Sequence, residues 1–81
     1  MPLVDHRGNR VMEQRTGREC LSENLKALRA ELGWSQERLA LEAGLHRTFV
    51  AHVERGSRNI SLDNIDKLAA ALGKATYELL K

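Results

Sequence analysis

Eighty-one residues, 42% hydrophobic and only 4% aromatic, supply one small core packed from Leu, Ala and Val, and a second domain is excluded. No apolar run approaches the roughly 18 residues of a bilayer span and no apolar h-region opens the chain, so membrane and secretory readings fall away. The single cysteine, Cys20, excludes an internal disulfide and an all-cysteine zinc cage and fits a cytoplasmic setting, while the formal net charge of +2 is too small to name a partner.

Residues 1–19 hold Gly8 and Gly17, keep no sustained period and are mostly polar; they read as a flexible arm with a helical tendency near Val11–Gln14. The pattern changes at Cys20, where a domain over residues 20–81 begins. Leu21, Leu25, Leu28 and Leu32 form an apolar stripe at helical spacing, and Gly33 ends this first helix.

Ser35 is a good N-cap for a second helix, and Glu37 in its first turn complements the positive helix end. Arg38 stands where a capping box would need Glu or Gln. Leu39, Ala40 and Ala43 make a narrow inward face, and Gly44 stops the helix after about two turns. His46 caps a third helix over about Arg47–Glu54, with Val50 and Val53 inward and Phe49 beside them. Gly56, Ser57, Arg58 and Asn59 make a polar turn, after which Ile60 and Leu62 return to the core around Ser61. A fourth helix carries Ile65, Leu68, Ala69 and Leu72 and ends at Gly73. Thr76 then caps a fifth, short helix through Leu79 and Leu80. Five helices and no strand pattern predict an all-α domain.

Charge is unevenly spread. Residues 44–60 hold Arg47, Arg55 and Arg58 against Glu54 alone, with His46 and His52 beside them, whereas the rest of the chain is close to balanced. A positive excess in one short segment suits a docked polyanion. Two short helices joined across Ala43-Gly44-Leu45, with small residues on the first, brace the second so that its outer face projects. That is a geometry for placing a helix in the DNA major groove.

The string SQERLALEAGL, followed by HRTFVAHVERGSRN and ISLDNIDKLAAAL, resembles the phage-repressor (Cro-type, XRE) helix-turn-helix family over about residues 21–80. The resemblance implies a five-helix repressor-like fold with the helix-turn-helix in its second and third helices. It implies that Arg47, Thr48 and His52, with Ala51 on part of the same face, read base edges. It also implies that Gln36, His46, Arg55, Arg58 and Asn59 touch the DNA backbone, and that Arg29 and Glu54 form a partly buried ion pair fixing the first helix to the third. The HRT…ERG…RNISL string is most similar to the small controllers of restriction–modification systems.

Catalytic readings fail on parts. Cys20, His6, His46 and His52 lack any metal-ligand spacing, no nucleophile elbow surrounds a serine, and Gly44 and Gly56 are isolated helix stops rather than a phosphate loop. No metal, cofactor or small-molecule ligand is expected. Because each bidentate base contact contributes only about 1–3 kcal/mol of discrimination, one such unit needs a second copy, and a homodimer on a palindromic operator supplies it. Leu62, Ala70, Tyr77 and Leu80 offer apolar surface for that interface. With no sensor region expected, regulation follows dimer concentration and operator arrangement. The competing reading is a protein-interaction module of the same fold, an antitoxin-type partner binder with weak or no DNA affinity; it gives no reason to gather Arg47, Thr48, His52, Arg55 and Arg58 on one side.

Overall fold

Thr16 starts the helical part of the chain. Its hydroxyl accepts from the Glu19 amide at 3.1 Å while the Glu19 carboxylate accepts from the Thr16 amide at 3.3 Å, a reciprocal capping box. The computed structural model describes residues 16–56 and 60–81, with the backbone of two short strands ahead of them. Helix α1 spans Gly17–Leu32, α2 Gln36–Ala43, α3 Arg47–Glu54 and α4 Leu62–Leu72, and a single 3₁₀ turn covers Thr76–Leu79.

The helices form where their caps permit. Ser35 accepts from the Arg38 amide at 3.0 Å to open α2, and Ser61 accepts from the Asn64 amide at 3.3 Å to open α4. Gly44 closes α2 at φ +70°, a left-handed conformation in which a Cβ would be strained. There the Gly44 amide donates to Leu41 O at 3.2 Å and the Leu45 amide to Ala40 O at 2.8 Å, which satisfies the last carbonyls and turns the chain into α3.

Helix α2 packs against both α3 and α4, and α1 packs against α3. Leu21, Leu25, Leu39, Val50, Val53, Leu68 and Leu79 are the largest fully enclosed side chains. Each contributes about 1.5–3 kcal/mol by leaving water, which is what holds so short a set of helices together. Ala40 and Ala43, 3% and 8% exposed, sit in the core cluster with α3's Val50 and Val53 and leave room for α3 to approach α2 closely. Trp34, Leu45, Phe49 and Ile60 close the edges of this core.

Several expectations need correction. Leu3–Val4 (β1) pairs antiparallel with Arg10–Val11 (β2), Leu3 opposite Val11, so the chain does contain strands. Two-residue strands are too short to show a period in sequence. Val11 therefore lies in a strand rather than a helix, and the rest of the supposed helical tendency lies outside the described residues. Helix α1 begins at Gly17, three residues ahead of the expected domain start at Cys20, because its start is set by the Thr16 cap and not by burial.

Leu32 is 49% exposed: residues 30–33 all face water, so α1 outruns the core by a turn. Leu62 does not re-enter the core but is 69% exposed. It is the first residue of α4, where side chains lean past the helix end, and no described residue encloses it. The fifth helix is the 3₁₀ turn, opened at Ala75 rather than Thr76. The Thr76 hydroxyl donates to the Asp66 carboxylate and so does not cap.

Candidate nucleic-acid interface

Helix α3 has two unlike faces. Val50, Val53 and Glu54 are buried, while Arg47, Thr48 and Arg55 are exposed and Ala51 and His52 half-buried. At helical spacing these last five form one stripe along the outside of the helix. His46 caps it, its Nδ1 accepting from the Thr48 amide at 3.1 Å. A neutral ring with Nδ1 as acceptor carries its proton on Nε2.

Three side chains of the stripe, Arg47, His52 and Arg55, are already held. Arg47 Nη1 donates to Glu37 Oε1 at 2.8 Å, an ion pair whose side chains are 61% and 69% exposed. Arg55 Nη2 lies 2.8 Å from His52 Nδ1. Since a guanidinium can only donate, His52 Nδ1 accepts. Phe49 packs at the core edge.

Beneath the stripe lies a charged cluster. Glu54, only 5% exposed, receives Arg29 Nε at 2.8 Å and Arg29 Nη2 at 2.9 Å, together with Gln36 Nε2 at 3.1 Å. Arg29 Nη1 donates to Trp34 O at 2.8 Å, and the Ser22 hydroxyl donates to Glu54 O. The expected Arg29–Glu54 pair is present and ties α1 to the end of α3. Hydrogen bonding to the carboxylate holds the Arg29 guanidinium above its ordinary arginine value, its partial burial opposing and the Glu54 charge adding to this.

Gln36 is drawn into the same cluster. Its amide reaches the Glu54 carboxylate across 18 positions of sequence, a contact that no local spacing announces. Arg29, Ser35, Gln36, Glu37 and Arg47 line an open cleft of about 450 Å³ at the start of α2. Arg58 and Asn59, read from sequence as backbone contacts, lie outside the described residues.

The remaining sequence-chosen residues differ in exposure. Leu62 and Tyr77 are 69% and 66% exposed, Ala70 is exposed, and Leu80 is half-buried against the core. Two residues escaped the sequence reading. Glu37 was assigned to the helix end alone, yet it grips Arg47. Asn24 Nδ2 donates to Leu79 O at 2.9 Å and Lys81 O at 3.1 Å, tying the C-terminal segment to α1. An Asn on a half-buried helix position carries no signal for such a tie.

Among the described residues no group of His, Cys, Asp and Glu is arranged to hold a metal, and no helix is long and apolar enough to cross a membrane.

A helix-turn-helix family profile, HTH_3, matches residues 25–79, a stretch covering α2, α3 and α4 entire. The chain belongs to this family. It is a family of transcription regulators rather than enzymes, as the resemblance to XRE-type repressors implied. A hypothetical transcription factor of Neisseria meningitidis is 54% identical over 63 residues, covering 78% of this chain and 59% of that protein. Control protein C.BamHI of Bacillus amyloliquefaciens is 56% identical over 46 residues, 57% of each chain. The match thus spans under three-fifths of the length of both relatives. Among solved structures, the restriction-modification controller protein C.AhdI of Aeromonas hydrophila superposes with a TM-score of 0.73 at 48% identity, covering 76% of this chain and 94% of that one.

Proposed function

We propose that this protein is a sequence-specific transcriptional regulator that binds double-stranded DNA as a homodimer on a palindromic operator. The observation that carries the reading is the outward stripe of α3: a helix whose other face is locked into the core offers Arg47, Thr48, Ala51 and His52 together. A major groove admits one helix, and its base edges match these groups. Arg47 donates two parallel bonds to a guanine. Thr48 offers its hydroxyl or its methyl, Ala51 meets a thymine methyl, and His52 makes a contact one turn on.

The flanking groups grip phosphate. Gln36 gives only one amide N–H to Glu54 and keeps a second for phosphate at the α2 N-terminus, where the helix dipole favours an anion. His46 offers Nε2–H, Arg55 its remaining N–H groups, and Arg58 and Asn59 extend the grip beyond α3. Leu62, Ala70 and Tyr77, with the edge of Leu80, form the dimer surface and set half-sites about one helical turn apart. The likeness to restriction–modification controllers favours a regulator whose input is its own concentration.

A gel shift with mixed genomic fragments at two salt concentrations tests this. Binding should prefer some fragments and weaken with salt, log K falling by about 0.9 per phosphate contact for each unit of log salt. Binding indifferent to both sequence and salt would instead fit a partner-binding module.

A further inference from the structure

We infer that Glu37 is a specificity-determining residue: it positions Arg47 for a base edge and at the same time repels DNA that Arg47 does not match. The inference rests on the DNA-reading assignment of α3. Arg47 opens α3 and Glu37 lies in the first turn of α2, and the bond from Arg47 Nη1 to Glu37 Oε1 is 2.8 Å long. An arginine has four side-chain torsions, and this bond fixes the guanidinium end of this one. Glu37 takes one N–H of the guanidinium and leaves four, enough for a bidentate contact with a guanine.

Glu37 complements the positive end of α2, and on a DNA-facing surface its charge has a second consequence. Its carboxylate lies in the cleft with Arg29, Gln36 and Arg47, beside the α2 N-terminus where a phosphate would approach. A carboxylate there opposes every duplex through like-charge repulsion, whatever its sequence. In water the exposed pair contributes little to stability. Once DNA covers it, water leaves and the attraction between the two charges strengthens. A matched duplex, which needs Arg47 held forward, gains from this, and an unmatched duplex meets only the repulsion. Discrimination thus comes from an element that lowers affinity for the wrong partner.

The test uses the full chain in three forms, wild type, Glu37→Ala and Glu37→Gln, with Arg47→Ala as reference. Each selects duplexes from a random pool, and anisotropy then measures binding to the wild-type-selected duplex and to a scrambled one. Glu37→Ala should lose base preference at the same position as Arg47→Ala, by about tenfold. Glu37→Gln, which keeps an oxygen for Arg47 but drops the charge, should retain that preference and bind the scrambled duplex about three- to tenfold more tightly than wild type. Thermal melting should be little changed in both Glu37 variants. If Arg47→Ala loses a position that Glu37→Ala keeps, the positioning role is overturned while DNA reading stands. A Glu37→Gln protein no tighter on scrambled DNA overturns the repulsive role. Wild-type protein that selects no sequence overturns the inference along with the reading beneath it.

Discussion

Arg29 and Glu54 meet edge to edge: Nε lies 2.8 Å from Oε2 and Nη2 lies 2.9 Å from Oε1, joining helices 25 positions apart in the chain. Glu54 is the last residue of α3, so the pair fixes where the stripe of that helix points. Truncating the carboxylate strands a guanidinium whose side chain is only 23% exposed. Breaking a buried pair costs about 3–5 kcal/mol; with this partial exposure Glu54→Ala should cost about 2–3 kcal/mol in urea denaturation. The double variant Arg29→Met with Glu54→Leu should recover more than half of that loss, because no charge is left unpaired. The folded-state value of Arg29 is raised, so its stabilisation is fully present below the ordinary arginine value and lost only at still higher pH. Removing the pair should therefore cost the same at pH 7 as at pH 9.

Leu68 and Leu62 stand six residues apart on α4 and are 0% and 69% exposed. In the dilute monomer Leu68→Ala should cost about 2–5 kcal/mol and Leu62→Ala less than about 0.5 kcal/mol, both read from denaturant midpoints. Equal losses would mean that Leu62 is packed within the monomer.

Arg47 and Arg58 should separate by readout rather than by size of effect. Arg47→Ala should relax base preference at one position per half-site, a loss of about 1–3 kcal/mol on the selected site. Arg58→Ala should weaken all sequences alike and flatten the salt slope by about one. Binding isotherms on matched and mismatched duplexes at several salt concentrations distinguish the two; identical behaviour would dissolve the division between base-reading and backbone-gripping residues.

Tyr77 and Leu62 are the exposed apolar residues assigned to self-association. Tyr77→Lys together with Leu62→Lys should convert a dimer to a monomer in sedimentation, leave the helical spectrum intact and abolish cooperative filling of two half-sites. A wild-type protein that sediments as a monomer at micromolar concentration would remove this surface from the account.

The sequence was most legible where a local device fixes structure. Ser35, Gly44, His46 and Gly73 mark the helix ends by cap chemistry, and Leu39, Val50, Leu68 and Leu72 fall inward as their spacing requires. Thr16 and Glu19 form a capping box that the sequence reading left inside the arm, because the change of pattern at Cys20 draws the boundary too late. Leu32 and Leu62 obey the helical period yet face water, because periodicity does not say where the neighbouring helices stop. Contacts between distant groups are the least readable. Gln36 on Glu54, Glu37 on Arg47 and Asn24 on the C-terminal carbonyls each depend on how helices cross, and a polar side chain gives no local sign of its partner.

Amide chemical shifts, followed as a selected duplex is added to labelled protein, test most directly whether α3 enters the groove. The account predicts the largest changes at Arg47, Thr48, Ala51 and His52, smaller ones at Gln36 and Arg55, and little change along the outer face of α1. Changes confined to α1 or α4, with Arg47 through His52 unmoved, would contradict it.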